Sequence, residues 1–240
     1  MSNNYGPRIV TDGLVLCLDA ADRNSYQGTG STWYDLSGNG YNGNIQGASF
    51  SESNGGSFSF TSANHRIDQT GLGLSFASFS IESVIRPSSN DGGYNAIISS
   101  TLGSNNDYQY GLNWDLGTYS TTEFSQMNLE ISRNYGGFYI RDVMNSSFSF
   151  GIWTHVLLTV DHVNNNFIVY VNGSQDYTAA YNGTITYFDR ISIGQRFYAN
   201  QYQAASTFQG NIALTKIYNR VLSANEVQQN YNATKGRFGL

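Results

Sequence analysis

The sequence predicts an all-β protein, and three observations support an antiparallel β-sandwich. The 240 residues include 27 Asn and 26 Gly, a composition that suits many strands joined by tight turns. Two stretches, 153–161 and 167–171, are rich in β-branched and aromatic residues, which favour extended backbone. No Pro/Ser linker or charge run divides the chain, and single sandwiches often span about 200–250 residues. We therefore predict one domain over residues 1–240.

Charge and cysteine content exclude several classes of partner. The net charge is −5 and there is no basic stripe, which argues against a nucleic-acid partner because that binding depends on neutralising phosphates. No apolar run reaches the roughly 20 residues of a membrane helix. Cys17 is the single cysteine, so no intrachain disulfide is possible, and its apolar surroundings predict a buried, inert thiol.

The N-terminal third predicts a strand, a long loop and two further strands. Residues 8–20 read as the first strand, and residues 20–43 as a glycine-rich loop that needs an anchor, for which Trp33 is the natural candidate. Strands follow at residues 58–60 and 76–86. On the second of these, Glu82 and Arg86 share a face, and we expect a weak surface ion pair there.

The remaining strands are shorter and separated by polar turns. Alternation in residues 108–115 places Tyr108, Tyr110 and Trp114 on one side of a strand, and Asn113 and Asp115 on the other. The predicted strands of this part are residues 96–100, 108–114, 127–132, 138–143, 148–150, 185–187, 191–194 and 211–218. We interpret residues 195–203 as a loop rich in Asn and Gln.

The clearest element is a hairpin at residues 151–173. In its first arm Thr154, Val156, Leu158 and Val160 share one face, and the other face is mixed. We expect this sheet to be buried on one side and partly wetted on the other. The intervening segment 162–166 has the composition of a tight turn.

One helix is predicted, at the C-terminus. Ser223 and Glu226 have the spacing of a capping box, and Leu222 and Val227 that of a hydrophobic staple. We expect this helix to dock on the sandwich.

Three motifs together resemble a known family. The hairpin reads W-T-H-V, T-V-D and then N-F-I-V-Y-V-N-G, residues 33–43 read W-Y-D-L-S-G-N-G-Y-N-G, and residues 208–223 run from F-Q-G to I-Y-N-R-V-L-S. This combination resembles the laminin-G-like and pentraxin-like group of concanavalin A-like jelly rolls. The resemblance covers nearly the whole chain and implies a two-sheet antiparallel sandwich that usually serves as a binding module. Residues 231–240 are similar to laminin-G-like domains of bacteriophage structural proteins.

The fold supports glycoside hydrolysis in other proteins, but this sequence predicts no catalytic residues. Hydrolysis needs two carboxylates about 5–10 Å apart, and jelly-roll glucanases are known to place them at alternate positions of one strand. No Asp or Glu residues stand at i and i+2 here. His155 is expected to be a packed structural residue, and no Gly-x-Ser-x-Gly elbow is present. Carboxylates from different strands could still meet, so a glycan hydrolase or lyase remains the alternative.

Calcium is the cofactor that the resemblance implies, with Asp35 and Asn39 in the matching early motif. Calcium takes about 6–8 oxygen ligands. Relatives commonly carry Ile-Asp-Glu after Phe-x-Gly, where this chain has Ile212-Ala213-Leu214, and this departure weakens the expected site. The alternative is that Asp35 and Asn39 satisfy the loop backbone through Asx turns.

Aromatic rings beside polar side chains are the candidates for glycan binding, because rings stack on the apolar face of a sugar. A surface rich in Tyr, Asn, Ser and Gly also suits protein recognition, and any one tyrosine could instead be partly buried. The candidate ligand-binding residues are Tyr108, Tyr110, Trp114, Tyr119, Tyr198 and Tyr202.

The leading hypothesis is a non-enzymatic module displayed on a phage virion, as capsid decoration or as a fibre or tail adhesin. It would recognise glycans or neighbouring virion proteins, and it could form a homo-oligomer. No signal peptide is visible at the N-terminus, which fits assembly inside a bacterium. A purely structural virion subunit is a third hypothesis.

Overall fold

The computed structural model describes residues 8–89, 94–101, 111–117, 123–124, 126–131, 138–140, 143–181, 186–198 and 201–240. These residues form strands β1 to β20, one 3₁₀ turn at Ser53–Gly55 and one helix, α1, at Ala224–Phe238. The first ten strands are β1 Leu14–Asp19, β2 Thr32–Trp33, β3 Gly43–Gln46, β4 Ser49–Ser51, β5 Ser57–Phe60, β6 Arg66–Phe76, β7 Phe79–Pro87, β8 Asn95–Thr101, β9 Leu112–Gly117 and β10 Glu123–Phe124. The other ten are β11 Gln126–Ile131, β12 Phe138–Ile140, β13 Phe148–Ser149, β14 Thr154–Asp161, β15 Asn166–Val171, β16 Ser174–Ala180, β17 Thr186–Ile193, β18 Gln195–Tyr198, β19 Gln201–Thr207 and β20 Gly210–Tyr218.

The strands form two large antiparallel sheets, which confirms the predicted two-layer sandwich. Sheet A has the order β16-β15-β14-β7-β20-β5-β4, and β1 pairs with β20 beside β5. Sheet B has the order β12-β11-β9-β8-β17-β6-β3-β2, and the hairpin β18–β19 joins it at β8. The small pair β10–β13 lies outside both sheets.

The main core fills the space between the two sheets. Sheet A contributes residues such as Phe79, Leu158 and Val169, and sheet B contributes Trp114 and Ile191. These side chains occupy alternate positions of their strands, so each strand turns one row of side chains inward. The core explains why the strands are apolar at every second position.

Trp33 is the anchor of the glycine-rich loop, as predicted. Its ring is fully buried and its centroid lies 4.8 Å from that of Phe58. Cys17 is a free, buried thiol, and burial raises its pKa to about 12. The expected buried position of Cys17 is therefore confirmed.

The predicted hairpin is present as β14–β15, but the expectation for its outer face is wrong. Val156, Leu158 and Val160 face the main core as expected. Leu157 and Trp153, on the opposite face, are also buried, because helix α1 and neighbouring segments cover this side of sheet A. The face that we expected to be partly wetted is thus a second buried layer.

Helix α1 begins with the predicted capping box. The Ser223 side chain accepts from the backbone N–H of Glu226, and the Glu226 side chain accepts from the backbone N–H of Ser223. Leu222 and Val227 lie in one buried cluster with Leu157 of sheet A. The helix therefore docks on the outer face of sheet A, which confirms the expectation from its sequence.

The structure departs from the sequence-based expectations at several strands and at one charged pair. Strand β6 was not predicted, and β18–β19 forms a hairpin where a loop was expected. Glu82 is fully buried rather than part of a surface pair with Arg86, whose Nε instead donates to the Gly151 carbonyl oxygen. In the part of the chain that the structure describes, no helix has the length and apolar character to span a membrane.

Candidate functional site

A row of polar residues crosses the outer face of sheet B. The strand register places Asp68 beside Ser192, Ser192 beside Ser99, Ser99 beside Asn113, and Asn113 beside Glu130. Because side chains alternate along a strand, this row points away from the apolar core. We call the surface formed by this row, together with Arg66, Asp115, Asn128 and Arg190, the polar face.

The hairpin β18–β19 lies over the polar face and is held there by side-chain hydrogen bonds. Ser99 Oγ donates to Asn113 Oδ1 at 2.6 Å and accepts from the Phe197 backbone N–H at 3.2 Å. Gln195 Nε2 donates to Thr207 Oγ1 at 3.1 Å, within the hairpin. The hairpin thereby covers the middle of the face.

Tyr202 stands at the centre of a half-buried group of charged residues. Its hydroxyl donates to Asp68 Oδ1 at 2.7 Å and accepts from Arg190 Nη1 at 3.2 Å. The Arg66 guanidinium lies over the ring, 3.8 Å from its centroid, and its Nε is 2.8 Å from Asp68 Oδ2. Burial and the nearby Asp68 carboxylate raise the pKa of Tyr202, so the hydroxyl remains a donor at neutral pH.

A second charged group lies over β9 and β11. The Arg196 guanidinium pairs with Glu130 and lies 3.5 Å from Asp115 Oδ2. It also faces the ring of Tyr94, an exposed residue, at 5.1 Å from the ring centroid. Arg196 therefore ties the hairpin to two acidic residues of the sheet.

Asp115 has an unusual environment for a carboxylate. Its side chain is 2% exposed, and its Oδ1 atom is buried without a hydrogen-bond partner among the described residues. Burial raises the pKa of Asp115 to about 7, with a lowering contribution from Arg196 and a raising one from Glu130. At neutral pH this carboxyl group is therefore divided between its protonated and ionised forms.

Two carboxylates from different strands thus meet on one face, but their geometry fits a structural role better than glycoside hydrolysis. A glycosidase leaves the space between its two carboxylates for the sugar and, in some cases, a water molecule. Here the Arg196 guanidinium contacts both acids, and Asp115 is almost fully buried. The arrangement binds the hairpin to the sheet.

The predicted aromatic residues have different positions in the structure. Tyr202 lies within the polar face, as described, and Tyr198 ends strand β18. Trp114 is fully buried in the main core and its Nε1 contacts the Met127 sulfur at 2.7 Å. Burial removes the exposed ring that stacking on a ligand requires, so the expectation for Trp114 is corrected. Tyr108, Tyr110 and Tyr119 lie outside the described residues.

Asp35 and Asn39 are committed to the loop that contains them. Asp35 Oδ1 accepts from the backbone N–H groups of Cys17 and Ser37, each at 2.9 Å. Asp35 Oδ2 accepts from Ser37 Oγ at 2.7 Å and from the Tyr41 backbone N–H at 3.1 Å. A carboxylate has about four acceptor positions, and all are used here.

These contacts do not fit a calcium site at Asp35. Asn39 Nδ2 donates to the Val15 carbonyl oxygen at 2.9 Å, which is also a loop contact. Among the residues with described side chains, no group of three or more His, Cys, Asp or Glu is placed to hold a metal ion. The Asx-turn alternative accounts for the observed hydrogen bonds, and calcium stays an untested prediction.

Sequence reasoning missed Asp68, Arg66, Arg190, Arg196 and Glu130 as members of one site. A partial signal existed, because Asn113 and Asp115 alternate with apolar residues and so do Asn128 and Glu130. These polar positions predict one outward face on each strand. The alternation does not show which strands are neighbours in the sheet.

The fold is a two-sheet antiparallel β-sandwich that carries polar and aromatic side chains on the outer face of one sheet. Residues 61–228 match the model of the Laminin G 3 family, described as the concanavalin A-like lectin/glucanases superfamily. The match spans well over half of the chain, and the protein belongs to this family. A search of curated proteins gave no match.

Three solved structures illustrate the similarity of fold. The binding domain of Paraclostridial Mosquitocidal Protein 1 has a TM-score of 0.66 and 19% identity, over 93% of this chain and 52% of that one. Domain 4 of AbnA, a GH43 extracellular arabinanase from Geobacillus stearothermophilus in complex with arabinotriose, has a TM-score of 0.64 and 17% identity, over 91% and 98%. The heptameric SAP-like pentraxin from Limulus polyphemus has a TM-score of 0.52 and 18% identity, over 68% and 73%. This chain therefore spans about half of the toxin binding domain.

Proposed function

We propose that this protein is a non-enzymatic glycan-binding module and that the polar face is its binding surface. The observation that carries the proposal is the group around Tyr202, where an aromatic ring, the Asp68 carboxylate and two guanidinium groups converge at a half-buried surface. Such groups bond sugar hydroxyls and contact apolar ring faces. The similarity of fold to an arabinanase domain solved with arabinotriose supports the same ligand class.

Rigidity supports the choice of this surface. The hydroxyl of Tyr202 is fixed by two hydrogen bonds and its ring is covered on one side by Arg66, so the side chain has little rotamer freedom left to lose on binding. Immobilising a flexible side chain costs about 0.5–1.5 kcal/mol on association. A preorganised group avoids most of that cost.

The absence of enzymatic activity is part of the proposal, and the position of Arg196 supports it. In a hydrolase, Asp115 and Glu130 would have to release this guanidinium before a sugar could enter between them. Incubation with a polysaccharide panel should give no increase in reducing ends over a heat-inactivated sample. Release of reducing ends that Glu130→Gln abolishes would instead establish the hydrolase alternative.

A glycan array followed by calorimetry with the best ligand tests the binding proposal. We expect retention of at least one glycan class and a loss of affinity of tenfold or more in Tyr202→Ala. Tyr177→Ala is the matched control, because Tyr177 is a partly buried tyrosine on strand β16 of the other sheet, and its affinity should equal that of the wild type. Normal circular dichroism of both variants would show that the fold is retained.

Two results would contradict the proposal at different levels. No retention on any array would exclude glycan binding. The binding site would instead be a separate concavity if glycan retention is unchanged in Tyr202→Ala but weakened in Arg23→Ala. This concavity has a volume of about 230 Å³, and its lining includes Arg23, Tyr26, Phe50 and Arg237.

A finer part of the proposal concerns the place of this module. We propose that it is displayed on a phage virion, where its partner is a glycan or a neighbouring virion protein; the similarity of residues 231–240 to phage laminin-G-like domains supports this. Co-sedimentation of the chain with purified particles tests the placement. Light scattering coupled to size exclusion tests whether it forms a homo-oligomer.

A further inference from the structure

The contact between helix α1 and sheet A contains a buried lysine, glutamate and asparagine. Lys216 lies on β20, Glu82 on β7 and Asn230 on α1, and they are 2%, 0% and 0% exposed. Lys216 Nζ lies 2.8 Å from Glu82 Oε1, and Asn230 Nδ2 donates to Glu82 Oε2 at 2.6 Å. One carboxylate therefore holds a primary amine and a primary amide as neighbours, away from water.

Further hydrogen bonds act on both ends of the amide. The Val10 backbone N–H donates to Asn230 Oδ1 at 2.7 Å. Asn230 Nδ2 also donates to the Tyr218 hydroxyl at 2.9 Å, and that hydroxyl donates to the Val10 carbonyl oxygen at 3.1 Å. An N–H group at a carbonyl oxygen stabilises the negative charge that develops there during nucleophilic attack.

We propose that Lys216 and Asn230 form an autocatalytic isopeptide bond, which joins strand β20 to helix α1 with Glu82 as the proton shuttle. In the first step the Lys216 ammonium transfers a proton to Glu82 Oε1. The neutral amine then attacks Asn230 Cγ, for which the two atoms must approach to about 3–3.5 Å, and Val10 N–H stabilises the oxyanion.

The reaction balances without an oxidant or a cofactor. One bond forms, between Lys216 Nζ and Asn230 Cγ, and one bond breaks, between Cγ and Nδ2 of Asn230. Glu82 passes the proton to the departing nitrogen, which leaves as ammonia. The amine nitrogen then loses its second proton, which converts the ammonia to ammonium and leaves a neutral amide. Glu82 ends as the carboxylate that it was at the start.

The surroundings favour each step. Lys216 Nζ and its proton acceptor Glu82 Oε1 are already in contact at 2.8 Å, and both side chains are almost fully buried. Tyr231 covers part of the site, because its ring packs against His155 with centroids 5.6 Å apart, and His155 Nε2 lies 3.2 Å from Glu82 Oε1. Exclusion of water protects the reacting amide from hydrolysis. If the cluster were purely structural, Lys216 and Glu82 would form an ion pair and no covalent bond would join Lys216 to Asn230.

Intact-mass spectrometry of the denatured full-length wild-type chain tests the proposal directly. The expected mass is that of the sequence less one ammonia, and a protease digest should contain a branched peptide that joins Lys216 to Asn230. A wild-type mass equal to that of the unmodified sequence would overturn the proposal, and this measurement does not depend on whether any variant folds or any glycan binds.

Two variants supply matched controls. Lys216→Arg keeps a positive charge beside Glu82 but removes the attacking amine, and Glu82→Gln keeps the size of the side chain but removes the proton acceptor. Both should have the full sequence mass. Succinimide formation at an Asn–Gly pair such as Asn172–Gly173 also releases ammonia, but it would persist in Lys216→Arg, so an equal loss of mass in that variant would refute the isopeptide bond.

Discussion

The outer faces of the two sheets are covered in different ways. Helix α1 covers sheet A and buries Leu157, Val227 and the charged group around Glu82. The hairpin β18–β19 covers only part of sheet B and leaves Arg66, Asp68 and Tyr202 half-buried. A helix with an apolar stripe closes a sheet face, whereas the hairpin buries Ser99, Asn113 and Asp115 but leaves the group around Tyr202 in partial contact with solvent. The second face is therefore the one that can meet a ligand.

Two buried acids show the same contrast at the level of single groups. Before the proposed isopeptide bond forms, burial raises the pKa of Glu82, but the charge of Lys216 and the contact with His155 hold it at about 2. Asp115 is buried to a similar extent, yet Arg196, the cation that pairs with it among the described residues, is shared with Glu130, and burial raises the pKa of Asp115 to about 7. Burial acts to raise the pKa of both acids, and the number and exclusivity of their charged partners decide whether that rise is overcome.

The largest expected effect comes from removing the acid of sheet A. Glu82→Ala leaves Lys216 buried without its anionic partner, and breaking a buried pair in this way costs about 3–5 kcal/mol. Urea denaturation at pH 7 measures the free energy of unfolding. Glu52→Ala is the control, since Glu52 forms an exposed pair with Arg23, and we expect a change within about 0.5 kcal/mol. A loss of under about 1 kcal/mol for Glu82→Ala would contradict the role given to this group.

Asp115, the buried acid of sheet B, should make the stability of the protein depend on pH. Below the unfolded-state pKa of Asp115, near 3.8, both states are protonated; between there and about 7 the folded state keeps a proton that the unfolded state releases. Wild-type stability should therefore fall as pH rises through this window and level off above it, by about 1.4 kcal/mol for each unit of the shift.

Asp115→Asn isolates this contribution, because the amide stays neutral at every pH. Relative to wild type, the variant should gain stability between pH 4 and pH 7, by about 2–4 kcal/mol in total. Unfolding curves at a series of pH values measure this, and Glu52→Gln, which changes an exposed acid, serves as the control. A difference between Asp115→Asn and wild type that does not vary with pH would show that Asp115 is ionised in the folded protein throughout.

A smaller effect is expected at the open edge of the polar face. Tyr202→Phe removes the hydroxyl that bridges Asp68 and Arg190, while Asp68 keeps its contact with Arg66. We expect a loss of about 1–2 kcal/mol, measured by urea denaturation. The same change at Tyr177 should fall within about 0.5 kcal/mol, and equal losses at the two positions would remove the special role of the Tyr202 hydroxyl.

Local patterns account for the parts of the fold that the sequence predicted correctly. Trp33, the hairpin β14–β15 and the capping box at Ser223 each depend on residues close together in the chain, so composition and spacing are enough to identify them. Strand β6 was missed because Gly71 and Gly73 interrupt its alternation, and glycine is depleted in strands. The sequence shows which residues of each predicted strand share a face, but not which face is buried or what covers the other.

Contacts between distant residues explain the rest. Lys216 and Glu82 are 134 positions apart, and Tyr202 and Asp68 are also 134 positions apart. No local pattern signals such pairs. The sequence identified Tyr202 as a candidate ring, but its charged partners follow from strand order, which places β6 beside β17, and from the hairpin that lies over them. Trp114 failed as a surface candidate because alternation predicts which residues share a face and not which face is buried.

The smallest expected effect concerns calcium and the loop that contains Asp35. Since the four acceptor positions of this carboxylate are used by Cys17, Ser37 and Tyr41, EDTA should leave the midpoint of thermal unfolding and the glycan affinity unchanged. Asp35→Ala, in contrast, leaves the Cys17 N–H without an acceptor and should cost about 1–3 kcal/mol with or without EDTA. Removal of Asp35 would destabilise the protein whether this carboxylate binds calcium or only accepts loop hydrogen bonds, so only the chelator separates the two roles. Calcium binding would be shown by a wild-type midpoint that drops with EDTA and recovers with added calcium, while the midpoint of Asp35→Ala does not respond. That result would place an ion at this carboxylate and require its hydrogen bonds to rearrange.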